Sequence, residues 1–154
     1  GRPIIRPTPE AEPLGPARPL EALVICPCTG NTLAKLANGI TDTPVCMAAK
    51  AHLRSDRPLL ITLASNDAMS ANLRNIGTLL SRKSVYFTPM VQDDPVSKPH
   101  SLVADFCQVP EALTAAIYCR NTVAIESIGL LRLHHRGAID TTSRVEATTI
   151  YARI

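Results

Sequence analysis

Three polar clusters in this chain of 154 residues have the residue types and spacing to do chemistry. The first is Cys26-Pro27-Cys28-Thr29-Gly30-Asn31-Thr32, where an apolar run ends and a helical pattern begins. A helix N-terminus at that point offers free backbone N–H groups and partial positive charge to an anion. Thr29, Asn31 and Thr32 add side-chain donors, and Gly30 lets a ligand approach the backbone. The chemistry suggested is binding of a phosphate or carboxylate. The same residues also serve plain helix capping by Thr29 or Asn31. The second cluster is Ser65-Asn66-Asp67, again a strand exit before a helical pattern, with Ser65 or Asn66 as the alternative cap. Two such exits on neighbouring parallel strands face one crevice, at the carboxyl ends where open sheets bind ligands. The third is Gln92-Asp93-Asp94-Pro95. Its paired carboxylates suit metal ligation or acid–base work, and equally a solvated turn. Lys98 and His100 lie close by, where they could meet an anionic substrate.

Other chemistries find less support. Cys26-x-Cys28 has a soft-metal spacing, but no second pair and no suitably placed His accompanies it, so no metal is expected. Cys26 reads as a small core residue. No G-x-S-x-G elbow signals a hydrolase. His134-His135 has no visible partner in the sequence. No residue is assigned a catalytic role.

The elements that must position these clusters follow from periodicity. Six prolines among residues 1–19 predict an extended lead-in without helix or strand. An apolar strand is expected over 20–26, stopped by Pro27, and another over 59–64. A third is expected over 85–89. Helical stripes are read at Leu33, Leu36, Ala37 and Ile40, ending near Gly39, and at Met69, Leu73, Ile76, Leu79 and Leu80 within 68–83. Thr43 and Pro44 read as the cap and first position of a helix running to Ser55. Residues 90–101 form a loop long enough to be functional. A helix is expected to begin within 102–106, and another at Pro110 with Leu113 and Ile117 in its stripe. The alternation predicts an α/β fold: a three-layer, Rossmann- or flavodoxin-like parallel sheet flanked by helices. Residues 119–154 match no clear element and are left as an unassigned tail.

Composition sets the outer limits. Hydrophobic residues at 45% and charged residues at 19% fit a globular chain with an aliphatic core, since aromatics are only 3%. The net charge of +3 is small and scattered, which gives nucleic-acid binding no support. No apolar run approaches the roughly 20 residues of a membrane helix, and no signal peptide is visible. The expected compartment is the cytoplasm. Five cysteines at irregular spacings are expected to be reduced thiols.

The segment CPCTGNTLAKLANGITD resembles the signature of the flavoprotein family that includes the flavin-dependent cysteine decarboxylases. Pro27, Thr29, Asn31, Thr32, Ala34, Lys35, Ala37, Gly39 and Asp42 meet that pattern. The segments AEPLGP, T-G-N, SNDAM and QDDPVSKPHS narrow the resemblance to the dipicolinate synthase B subunits of that family, over about residues 10–118. The resemblance implies a flavodoxin-like fold and work with the dehydrogenase-like A subunit of dipicolinate synthase, forming dipicolinate from a dihydrodipicolinate-level precursor during sporulation. It implies possible FMN on this chain and NADP on the partner subunit. Thr29, Gly30, Asn31, Thr32, Ser65, Asn66 and Asp67 would line the cofactor pocket, and Asp42 would structure the turn behind it. Gln92, Asp93 and Asp94 would sit at the pocket mouth or an intersubunit contact. Two alternatives remain open: a non-catalytic scaffold protein, and a generic FMN-dependent decarboxylase-like flavoprotein. Family members begin with a strand and a phosphate-holding loop, which this chain does not show, and the decarboxylase His and P-A-M-N motif are not matched. The sheet is therefore expected to be incomplete, with a bare apolar edge and one uncovered face that favour homo-oligomer contacts.

Overall fold

The computed structural model describes residues 4, 7–15, 17 and 19–118, with the backbone of three short strands at 124–125, 131–132 and 148–150. Its centre is a mixed sheet. Strands β1 (Leu23–Thr29), β2 (Leu59–Ser65) and β3 (Val85–Phe87) run parallel, with β2 between the other two. Strands β4 (Met90–Val91) and β5 (Leu102–Ala104) form an antiparallel pair, and β5 joins the far end of β2. The expected all-parallel sheet thus carries an antiparallel edge. LVADF was expected to start a helix, but Val103 and Leu102 pair with Ala64 and Ser65 instead. That pairing is tertiary and leaves no local periodicity to read.

Helices cover both faces. On one side lie α1 (Thr8–Ala11), α2 (Gly30–Asn38), α3 (Pro44–Leu53) and α4 (Leu73–Leu80). With Leu23, Ile25, Leu33, Leu59, Ile61 and Leu63 they form the main core. On the other side α5 (Val109–Tyr118) sets Ala112 and Ala116 against Val24, Leu60 and Tyr86. The second face is therefore covered, contrary to expectation. In α5 the buried stripe is Ala112 and Ala116, and Ile117 is only half-buried. Strand β8 (Thr148–Ile150) pairs parallel with Leu23–Ile25 and covers the edge expected to be bare. Strands β6 (Ala124–Ile125) and β7 (Leu131–Arg132) form a separate antiparallel pair. His134 and His135 lie outside the described residues.

Local chemistry explains several boundaries. The lead-in is not wholly extended: Pro9 falls in the first turn of α1, where its missing N–H costs nothing. Ala11 and Leu14 are buried, and a Cβ on Gly15 would collide with the Ala51 carbonyl, so the segment 11–15 packs directly on α3. Pro27 does not stop β1. The ladder to β2 shifts between Ile25 and Cys28, and this bulge takes up the residue that cannot donate. Gly39 ends α2 in the left-handed region at φ 73°, and its N–H returns to Leu36. The Ile40 expected on the apolar stripe lies beyond this cap and is exposed. Thr43 caps α3, accepting from the Cys46 N–H at 3.3 Å, with Pro44 in the first turn.

Candidate functional site

The carboxyl ends of β1 and β2 open into a cavity of about 600 Å³, lined by residues of three segments. The start of α2 gives Gly30, Asn31 and Ala34. The end of β2 and its exit turn give Ala64, Ser65, Asn66 and Asp67. Ala71 and Asn72 come from the approach to α4, and Asn75 from its first turn. Asn31 and Asn66 are exposed at its surface.

One carboxylate organises the wall. Asp67 Oδ1 accepts from Ser65 Oγ at 2.6 Å and from Asn72 Nδ2 at 2.8 Å. Asn72 Oδ1 in turn accepts from Asn75 Nδ2 at 2.8 Å. The Asp67 carbonyl also accepts from the N–H groups of Ser70 and Asn72. Ser65 and then Asn72, donating to the carboxylate, hold its pKa below the ordinary 3.8, so the group is ionised at neutral pH. Gly30 completes the arrangement. A Cβ there would collide with Ser65 Oγ and come within 2.7 Å of Asn72 Nδ2 and 3.0 Å of Asp67 Oδ1. Only glycine lets the first turn of α2 sit against this network.

The turn that builds the network also shortens α4. The expected helix over 68–83 is helical only from Leu73 to Leu80, because the backbone bonds to Asp67 coil 66–72 into turns. Leu73, expected in the apolar stripe, is 55% exposed. Asn72 and Asn75 were absent from the sequence-based candidates. The signal that could have found them is an Asx-rich stretch immediately after a strand exit, which competes with helix formation.

The remaining candidates lie elsewhere. Thr29 caps α2, accepting from the Thr32 N–H at 3.4 Å, and its hydroxyl donates to Thr32 Oγ1 at 3.2 Å. Neither threonine lines the cavity. Asp42 pairs with Lys35 at 2.8 Å, tying the turn after α2 back to that helix. Gln92, Asp93 and Asp94 belong to the loop between β4 and β5 and are not among the lining residues. Gln92 donates to the Pro99 carbonyl, Asp94 accepts from the Ser97 N–H, and Asp93 lies 3.6 Å from Lys98. The loop reaches the turn after Asp67 through its far end, where the His100 carbonyl accepts from the Met69 N–H at 2.9 Å. The described residues contain no group of three or more His, Cys, Asp and Glu placed to hold a metal. No helix among them is long and apolar enough to cross a membrane.

Known proteins share this fold. The chain is 47% identical over 108 residues to the B subunit of dipicolinate synthase from Bacillus subtilis, covering 70% of this chain and 54% of that protein. It thus spans about half the length of that relative. The crystal structure of the dipicolinate synthase B subunit from Bacillus halodurans superposes with a TM-score of 0.74 at 45% identity, covering 76% of this chain and 60% of that one. The cypemycin decarboxylase CypD superposes with a TM-score of 0.52 at 27% identity, covering 74% and 55%. The Flavoprotein family model matches residues 6–110, which include every lining residue of the cavity, and the chain belongs to the flavoprotein family.

Proposed function

We propose that residues 20–118 are the flavoprotein-fold portion of a dipicolinate synthase B subunit. In this reading it acts in the cytoplasm of a sporulating cell with the dehydrogenase-like, NADP-using A subunit of that enzyme. Together they would form dipicolinate from a dihydrodipicolinate-level precursor. The observation that carries the reading is the 47% identity to the B. subtilis protein over 108 residues.

The cavity residues fit the ring of a flavin such as FMN. Gly30 provides a wall without a side chain, and the amides of Asn31 and Asn66 both donate and accept, as the imide edge of such a ring requires. When bound, a flavin would supply two-electron redox chemistry at this position. This chain's own residues would hold the ring, fix its orientation through the Asp67 network and keep water from one face.

The test is formation of dipicolinate from precursor by the dehydrogenase-like partner with and without this chain. The expected result is a rise in output on adding it. Equal output in its absence would sink the proposal.

A second reading, a non-catalytic protein that stabilises its partner, is favoured by one observation. Among the lining residues the sole acid–base group is Asp67, and its lowered pKa makes it a weak base. Asn31→Ala and Asn66→Ala separate the two readings. Full activity in a complex that still assembles would select the scaffold.

A further inference from the structure

The start of a helix attracts negative charge, and here the chain supplies that charge itself. Asp67 Oδ1 lies so close to the first residue of α2 that a Cβ on Gly30 would be 3.0 Å from it. The carboxylate is held there by Ser65 and Asn72. None of the ten lining residues is Lys, Arg or His. Lys35, farther along α2, is engaged by Asp42. The wall therefore carries one fixed negative charge and no side-chain cation to answer a second. Among the described residues both side-chain donors reach Asp67 through Oδ1, which leaves Oδ2 open to the N–H of a ligand.

We propose that Asp67 is a specificity-determining residue that makes the cavity accept an uncharged ligand donating N–H groups and turn away carboxylates and phosphates. A second anion brought beside Asp67 would meet like-charge repulsion in a partly desolvated site. A neutral amide or imide would instead donate to the open oxygen and exchange hydrogen bonds with Asn31 and Asn66. This deepens the functional reading above and rests on it only in identifying the ligand as the cofactor ring. The dicarboxylate substrate must then be held by groups outside these lining residues.

The test uses two probes with one ring: pyridine-2,6-dicarboxylate, a dianion, and pyridine-2,6-dicarboxamide, which is uncharged. Each is titrated calorimetrically into the full chain in metal-free buffer. The diamide is expected to bind saturably and the dianion at least about tenfold more weakly. Asp67→Asn keeps an oxygen to accept from Ser65 and Asn72 but removes the charge. It should bring the two affinities within about threefold of each other. A salt series on the unmodified chain gives a second readout that needs no variant. Between ~20 and ~300 mM salt the dianion should bind more tightly as repulsion is screened, with the diamide unchanged. Three results would each overturn the proposal: a dianion that binds as tightly as the diamide, a ratio unmoved by both Asp67→Asn and salt, or no saturable diamide binding. Failure of this chain to raise dipicolinate output, with the diamide preference intact, would remove the functional reading and leave this inference standing.

Discussion

The Nδ2 of Asn72 donates to Oδ1 of Asp67 across 2.8 Å, joining the start of α4 to the exit of β2. Asn72 is nearly buried, and its other amide atom is taken by Asn75. The orientation of this side chain is therefore fixed at both ends. The cavity wall behaves as one hydrogen-bonded unit rather than as separate polar residues.

Asn72→Asp sharpens that dependence. The variant keeps the shape but places a second carboxylate against the first, so at pH 7 we expect a loss of roughly 2 kcal/mol or more. A proton shared by the pair relieves the repulsion, so the deficit should shrink as pH falls below ~5. The unmodified chain should behave oppositely. The folded-state pKa of Asp67 is lowered, so its contribution is full above the unfolded carboxylate value and is lost as pH falls through the folded one. Urea denaturation of both proteins across that range checks the crossing. Parallel curves would refute it.

Gly30→Val should damage fold and site together. The added side chain meets Ser65 Oγ and Asn72 Nδ2, so α2 must shift outward. Overpacking of this kind costs about 1–3 kcal/mol. Thermal melting should register the loss, and the flavin binding proposed for the parent chain should be lost with it. A variant as stable as the parent would show that α2 moves freely against β2.

His52 predicts a second pH effect with a different origin. Its ring is buried, and Nε2 faces the Pro58 carbonyl at 2.9 Å, where it donates. Nδ1 has no partner among the described residues, so the neutral form is the one that fits. Burial lowers the His52 pKa from the usual 6.5, partly offset by the Pro58 carbonyl. The unfolded chain then binds more protons than the folded one, so stability should fall as pH drops below 6.5. His52→Gln should flatten the slope between about pH 7.5 and 5 in denaturant titrations. An unchanged slope would place the titrating group elsewhere.

Thr62 and Thr88 are fully buried and share a hydrogen bond of 2.9 Å between β2 and the end of β3. Thr62→Val orphans the Thr88 hydroxyl and should cost about 1–3 kcal/mol. Adding Thr88→Val should recover part of that loss, a coupling that a double-mutant cycle measures directly. Additive effects would mean that the pair contributes nothing jointly.

The cysteines should separate by reactivity. Burial, followed by the nearby Cys46, pushes the Cys28 thiol up to about 12. Cys46 is raised as well, chiefly by burial, whereas Cys107 is exposed. Brief alkylation mapped by mass spectrometry should label Cys107 and spare Cys28 and Cys46 until denaturant is added. Early labelling of Cys28 would show that β1 opens readily.

Features set by local chemistry were legible in the sequence. Thr43 with Pro44 and Gly39 announce their helix ends because capping depends on a few adjacent residues. The two polar strand exits also came together: Gly30 and Asn31 share a cavity with Ser65, Asn66 and Asp67. Features set by distant partners were not legible. The helical spacing of Met69, Leu73 and Ile76 hid the turn that Asp67 imposes on 66–72. Pro27 looked like a stop because the bulge that tolerates it forms only against β2. Leu102–Ala104 has no strand signal until Ser65 stands opposite Leu102.

Strand β2 changes partners along its length: its first half is laced to β3 and its last two residues to β5. The hairpin loop between β4 and β5 is thereby tethered twice, once to the cavity wall through Leu102 to Ser65 and once to the turn after Asp67 through the His100 carbonyl to Met69. Whatever grips the loop tip at Val96, which is 93% exposed, pulls on a rein that ends two residues from Asp67. The Met69 amide is the natural tension gauge for that rein, since its hydrogen exchange quickens when the loop lifts and slows when a partner seats it.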